Sequence, residues 1–216
     1  MGEATTLNNV LNKLNKKKYI KTYAFDISWS RIKYAIKNSS ENNNKVFHFM
    51  GDLFNIPIAD NSIDLVYTSH SIEPNGNREK EALLELYRIT RKYLILLEPS
   101  YKYATEEGKN RMEKLGYVKN LEKIARELGM DIVEERKFGV IQNPLNPTGL
   151  IIIKKKYKTS TNRNNNIMIC PVSKKSLKKT NKNCYYCEDS MLLYPIVDNI
   201  PIFLRQYAVV ATHFKD

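Results

Sequence analysis

The chain has 216 residues, 42% hydrophobic, 27% charged and 10% aromatic, which is enough for one full domain plus a small appendage, too short for two ordinary domains and too apolar for a disordered chain. Its net charge is +12, and residues 154–216 hold 12 Lys and Arg against 4 acids, so the last third suits an anionic partner such as RNA, although a Lys- and Asn-rich chain is also basic by default. No apolar run nears the roughly 18 residues of a membrane span, residues 1–18 lack the apolar centre of a secretory signal, and three cysteines in one corner argue against a disulfide scaffold and for the reducing cytoplasm.

In chain order, residues 21–26 read as a strand ending on Asp26. Ser28 is placed to cap a helix whose apolar positions are Ile32, Ala35 and Ile36. Residues 45–50 form a second strand, closed by Gly51-Asp52, and 63–67 a third. Residues 77–92 are helical, with Ala82, Leu83, Leu86 and Ile89 on one face. The unbroken apolar run at 93–97 then reads as a buried parallel strand. Helical stretches at 106–115 and 121–128 close on Gly116 and Gly129. Residues 132–138 and 150–156 are the last two strands of this region, joined through the Asn- and Pro-rich loop 143–149. Such alternation predicts an α/β fold with a doubly wound, mostly parallel sheet, whose ligands bind at the carboxyl ends of the strands. A polar run reads as a linker at 158–166, between a first domain at 1–157 and a small β-rich unit at 167–216.

The strand ends carry the chemistry. Asp26 can accept from both hydroxyls of a ribose diol, or serve as an acid beside a helix start. Asp52 can accept from an adenine amine while Leu53 offers its backbone N–H to a ring nitrogen. Taken together, Tyr23-Ala-Phe-Asp26-Ile-Ser, then Gly51-Asp52-Leu-Phe-Asn-Ile-Pro57, then Asn61-Ser-Ile-Asp64-Leu-Val-Tyr67 resemble the class I S-adenosylmethionine-dependent methyltransferases, over residues 1–156. The resemblance implies a Rossmann-like fold with S-adenosylmethionine as cofactor. Its ribose falls to Asp26 and its adenine to Asp52, with Ile27, Leu53 and Ser69 beside them. Met1-Gly2-Glu3 resembles the second half of the family's glycine-rich turn, which assigns Gly2 and Glu3 to the cofactor as well. The strand that precedes this turn in the family is not in the sequence, so a sheet lacking its first strand is expected. Either the chain starts inside the motif, or cofactor binding has been lost.

The loop after the third strand runs Thr68-Ser69-His70-Ser71-Ile72-Glu73-Pro74-Asn75-Gly76. His70 is the candidate general base for a hydroxyl or amine acceptor, with packing beside the cofactor as its other reading. Glu73 and Asn75 are candidates to orient the acceptor, although Pro-Asn-Gly is also turn chemistry. Tyr101 and Asn143 fall on the same rim. Methyl transfer is a direct displacement, so alignment and desolvation supply much of the rate and a base is not obligatory.

Further on stand Cys170-Pro-Val-Ser173, Cys184-Tyr-Tyr-Cys187 and Tyr194-Pro-Ile-Val-Asp-Asn199-Ile-Pro201. Residues 168–204 resemble the short zinc-ribbon family that includes the activator subunit of tRNA and protein methyltransferases. The resemblance implies Cys170, Cys184 and Cys187 as zinc ligands, completed by water or His213, or a ribbon that has lost its metal. Ser173 replaces one family cysteine. Asn199 replaces a glycine, whose left-handed backbone it tolerates. The expected activity is methyl transfer to oxygen or nitrogen of a small-molecule, glycan or RNA acceptor. RNA would meet Tyr185, Tyr186 and the lysines at 174, 175, 178, 179 and 182. The alternative is a non-catalytic adaptor that binds a protein partner through the ribbon.

Overall fold

The structure is a computed structural model that describes residues 2–14, 20–42, 44–139, 143–156, 167–181 and 183–214. The linker expected at 158–166 lies outside the described residues. The chain forms two compact units, residues 1–58 with 165–216, and residues 59–164. This division does not follow the expected boundary at 157–167. The reason lies in how the C-terminal segment packs inside the first unit.

That unit begins with helix α1 (Thr5–Leu14), strand β1 (Thr22–Asp26), helix α2 (Trp29–Glu41) and strand β2 (Val46–Met50). β1 and β2 pair in parallel, Thr22 opposite Val46 and Asp26 opposite Met50, so their carboxyl ends are level. Ser28 caps α2, its Oγ accepting from the Arg31 N–H at 3.5 Å. Ile32 and Ala35 are fully buried, as their spacing predicts. The C-terminal segment supplies β7 (Lys178–Lys179), β8 (Cys184–Cys187), β9 (Leu192–Val197), β10 (Ile200–Pro201) and β11 (Val209–Val210). These are antiparallel, in the order β10-β9-β8-β7, with β11 also on β9. Asp198 and Asn199 turn the β9–β10 hairpin with φ of 50° and 61°, the left-handed backbone such a two-residue turn demands and asparagine tolerates.

Just past β10 the chain runs alongside β2. Ile202 bridges Met50 in parallel, and the Phe203 N–H donates to the Met50 carbonyl at 2.9 Å. Ile32, Met50, Ile200, Ile202 and Leu204 form one buried cluster, with Trp29 and Ile36 against it. Phe203 also packs its ring against Phe49 and Tyr185, centroids 5.6 and 5.0 Å apart. Each such apolar side chain contributes about 1.5–3 kcal/mol on burial. The C-terminal segment thus shares a core with α2 and β2 rather than forming one alone.

The second unit contains β3 (Ile63–Ser69), α3 (Glu79–Ile89), β4 (Thr90–Pro99), α4 (Glu106–Lys114), α5 (Leu121–Glu127), β5 (Asp131–Lys137) and β6 (Thr148–Lys154). The sheet order is β3-β4-β6-β5. β3 and β4 are parallel, whereas β6 runs antiparallel to both β4 and β5. The sheet expected to be mostly parallel is therefore mixed. The segment between β5 and β6 carries no crossover helix among its described residues, and adjacent strands joined without one run antiparallel. The apolar run of β4 lies between two strands, with Leu94 and Leu96 fully buried. α3 stops at Ile89, its last apolar position and short of the expected end at 92, because β4 begins at once. The Thr90 hydroxyl donates to the Leu86 carbonyl at 2.7 Å and closes the helix. Between β3 and α3, Gly76 donates its N–H to the Gly116 carbonyl at 3.0 Å. No helix among the described residues is long and apolar enough to cross a membrane.

Two outcomes follow from these contacts. A Cβ at Gly76 would lie 2.4 Å from the Gly116 oxygen, whereas one at Gly139 would meet nothing within 4 Å. Gly76→Ala should therefore cost about 1–3 kcal/mol in denaturant unfolding, as overpacking does, and Gly139→Ala much less. His48 on β2 is buried beside the Ser39 hydroxyl, and burial pushes its pKa down to about 4. Its proton binds more tightly to the unfolded chain, so its contribution to stability is present above pH 6.5 and lost as pH falls toward 4. The urea midpoint should drop across that window, with a shallower slope in His48→Gln.

Candidate functional site

At the carboxyl end of β1, the Asp26 carboxylate accepts from the Ser28 N–H at 3.0 Å and from the Gly2 N–H at 2.8 Å. Gly2 and Ala4 both have left-handed φ, 60° and 61°, which turns the segment before α1 back onto the strand end. The Glu3 side chain is exposed, and its carbonyl accepts from the Asn38 amide at 2.9 Å. Ile27, next to Asp26, is 60% exposed although apolar. Past β2, the Asp52 carboxylate accepts from the Phe54 N–H at 3.0 Å and the Asn55 amide at 3.5 Å, and Leu53 is half-buried. Gly51 precedes Asp52, and a Cβ there would stand tight against the Phe49 ring, at 3.0 Å. The first unit therefore carries Gly2, Asp26, Ile27, Asp52 and Leu53 at the strand ends where α/β sheets bind ligands. Two carboxylates with an exposed aliphatic side chain suit a sugar diol and a flat base.

In the second unit, His70 directly follows β3. Its N–H donates to the Leu97 carbonyl at 2.9 Å, and its φ of 49° turns the chain off the sheet. Its Nδ1 lies 2.7 Å from Glu73 Oε2 and its Nε2 2.9 Å from the Thr148 hydroxyl. Glu73 Oε1 accepts from the Asn146 amide at 3.2 Å. The bond to Glu73 pushes the His70 pKa up. Burial opposes charge on Glu73, but bonds from His70, Tyr117 and Asn146 outweigh it and hold the carboxyl below its ordinary range. The arrangement is an acid–histidine–hydroxyl chain, a geometry that orients an imidazole and stabilises its protonated form.

Behind it lies Glu98, which is 2% exposed at the end of β4. Its carboxylate accepts from three consecutive N–H groups, Ser71 at 3.0 Å, Ile72 at 3.2 Å and Glu73 at 3.1 Å. Burial pushes its pKa up. The sequence puts Glu98 and Thr148 in the rim segments 98–101 and 143–149 but gives neither a role. The signal for Glu98 was there, since an acid closing a buried apolar run needs partners.

Other candidates are placed differently. Asn75 donates to the Ile72 carbonyl at 3.2 Å, which is turn chemistry. Asn143 closes its own turn, accepting from the Leu145 N–H at 3.0 Å. Ser69 pairs with Leu97 as the last residue of β3. The Tyr101 hydroxyl donates to Glu113 at 2.9 Å. Tyr101 also lines a cleft of about 190 Å³ with Glu98, Ser100, Lys119, Glu135 and Gly149.

The cysteines do not converge as expected. Cys184 and Cys187 lie three apart on β8, so their side chains leave opposite faces of the strand. Cys184 Sγ is 3.0 Å from the Thr180 hydroxyl, whereas Cys187 Sγ is 3.4 Å from the Ser173 hydroxyl. Among the described residues no group of three His, Cys, Asp or Glu is fit to hold a metal. The set Cys170, Cys184 and Cys187 thus does not fit zinc, which needs its donors on one tetrahedral shell.

Residues 7–96 match a family model described as a methyltransferase domain. Among solved structures, the chain is similar to a SAM-dependent methyltransferase from Methanosarcina mazei, at 13% identity and a TM-score of 0.57, covering 73% of this chain and 90% of that one. It is similar to a SAM-dependent methyltransferase from Aquifex aeolicus, at 19% identity and 0.55, covering 71% and 77%. It is also similar to a 4+2 cyclase, at 12% and 0.56, covering 73% of each chain. No curated protein matches the chain by sequence. At such identities structural likeness speaks for the fold, and one fold can host several chemistries. Residues 7–96 are thus similar to a methyltransferase domain, and the fold is the Rossmann-like α/β fold of the methyltransferases the chain resembles.

Proposed function

We propose that this chain is an S-adenosylmethionine-dependent methyltransferase acting on oxygen or nitrogen of a polar acceptor. The observation that carries the reading is the pair Asp26, which closes β1, and Asp52, just past the level end of β2, with Ile27 exposed beside Asp26, inside the matched stretch. Asp26 holds the ribose diol. Asp52 accepts from the adenine amine, Leu53 donates its N–H to the ring, and Ile27 packs against the base. S-adenosylmethionine would supply a methyl group on a sulfonium centre, whose sulfur would leave with the bonding pair as a neutral thioether as the acceptor takes the methyl carbon. Residues 167–214 we read as a ribbon-like appendage, supported by the antiparallel strands β7–β11 and the Asp198-Asn199 hairpin turn.

His70 is the residue we assign to the acceptor's proton. Its Nδ1 is held by Glu73, so Nε2 is the nitrogen that faces exchange. An acceptor hydroxyl or amine that displaces the Thr148 hydroxyl would give its proton to Nε2, and Glu73 would stabilise the cation formed. Glu98 takes no part in the transfer and fixes the loop that carries both residues.

The reading is tested by calorimetric titration with S-adenosylmethionine. Asp26→Ala should weaken binding about 10–100-fold, the loss of a charge-assisted bond of about 1.5–3 kcal/mol. A folded wild-type chain that does not bind would overturn it. The base role has its own test. Because Glu73 raises the His70 pKa, kcat/KM should rise with pH at a midpoint above the ordinary 6.5, and Glu73→Gln should move that midpoint down. A flat profile would remove His70 as base and leave cofactor binding untouched.

A further inference from the structure

Among the described arginines of the second unit, all but one meet a carboxylate: Arg78 with Glu81, Arg88 with Asp60 and Glu85, Arg91 with Asp64, Arg126 with Glu122 and Arg136 with Glu134. The exception is Arg111 on α4, which has no carboxylate within ion-pair distance among the described residues. Its side chain is half-buried, and its Nη1 is closed to solvent with no hydrogen-bond partner among those residues. The guanidinium lies over the Tyr117 ring, 5.5 Å from the centroid, and bonds to the Tyr117 hydroxyl. A guanidinium offers only donors and stays charged. An orphaned donor in a closed place carries its full desolvation cost until an acceptor arrives.

Asn146 is the complementary orphan. Its NH2 donates to Glu73 Oε1 at 3.2 Å, which fixes the amide's orientation, because a carboxylate can only accept. Its Oδ1 is left closed to solvent, again with no partner among the described residues. The two orphans share one neighbourhood. The Tyr117 hydroxyl that Arg111 engages and the Asn146 amide both bond to Glu73, the residue that holds His70. Gly108, three residues before Arg111 on α4, approaches the turn that carries Asn146 so closely that a Cβ there would stand 3.1 Å from the Leu145 carbonyl oxygen. That turn satisfies its own backbone, since the Leu145 and Asn146 N–H groups both donate to Asn143. It therefore can shift from α4 as a piece without breaking those bonds.

We infer that Arg111 and Asn146 recognise the acceptor, Arg111 binding an oxyanion group on it and Asn146 Oδ1 accepting from a hydroxyl or amine beside that group. The substrate class is thus a small molecule that carries a carboxylate or a phosphate together with the hydroxyl or amine to be methylated. This rests on the reading of His70 as the base for the acceptor's proton and supplies what that reading lacks, the chemistry that selects the acceptor. The guanidinium fork matches the paired oxygens of either anion, and an uncharged acceptor would leave Arg111 without an acceptor for its orphan N–H.

Side-chain nitrogen NMR of the full chain tests it, with acetate and inorganic phosphate as probes and no S-adenosylmethionine present. The Arg111 Nε–H signal, identified by its absence in Arg111→Lys, should shift and saturate with at least one probe, and the Asn146 side-chain amide should shift along the same curve. Saturation by acetate points to a carboxylate on the acceptor, saturation by phosphate to a phosphate. Arg126, paired with Glu122 at 2.8 Å, should not follow. No saturable shift at Arg111 with either probe, or a drift shared equally with Arg126 as bulk ionic strength would cause, would overturn the inference. Asn146→Asp keeps Arg111 but sets a carboxylate where the anion is expected, so it should weaken the probe's affinity about 10-fold or more. Unchanged affinity in that folded variant would also sink the site. Because no cofactor is present, a chain that fails to bind S-adenosylmethionine can still pass this test, and one that binds it can still fail.

Discussion

A carboxylate cannot be left bare in an apolar interior, and Glu98 is buried near the end of the central strand β4. An unpartnered charge there would cost several kcal/mol. The chain meets this demand with three successive N–H groups of the segment after β3. Charge-assisted bonds of about 1.5–3 kcal/mol each offset the desolvation. The path of residues 71–73 then follows, since three adjacent donors must point at one carboxylate. His70 and Glu73 flank that path. The relay with Thr148 therefore depends on a group that touches none of the reacting atoms.

The first unit rests on a different constraint. β1 and β2 alone would be a two-stranded ribbon with a helix on one side, and such a small layer has little core of its own. The C-terminal segment answers it. Ile200, Ile202 and Leu204 complete the cluster around Ile32 and Met50, and Phe203 adds an aromatic contact to Phe49. The benefit is mutual, because five short strands of two to six residues also lack a core sufficient for independence. This exchange explains why the compact unit joins residues far apart in sequence.

The same economy governs the polar groups. Asp26 and Asp52 are partly engaged by local N–H groups, which fix their direction at the strand ends. Cys170 and Cys187 each find a serine hydroxyl. Cys184 finds Thr180. In each case the donor or acceptor is satisfied by whatever the backbone path brings near, and spacing in the sequence is a guide only where that path is a turn. On a strand, a spacing of three separates side chains that a turn would bring together.

What the sequence alone determined is what depends on neighbours a few residues away. The helical period of Ile32, Ala35 and Ile36, the cap at Ser28, the apolar run of β4, the left-handed Asn199 and the acids closing β1 and β2 are all of this kind. The family resemblance drew on the same short stretches. What only the tertiary structure decided depends on contacts between distant residues: Glu98 with Ser71, 27 positions away; His70 with Thr148, 78 positions away; Cys170 with Ser190, 20 positions away. The mixed direction of the β3–β6 sheet and the sharing of one core by β2 and β10 belong there too. Local propensity and capping act within a turn or two, so they can be read along the chain. Which buried carboxylate meets which amide is decided by how the strands are laid side by side, and no periodicity encodes that.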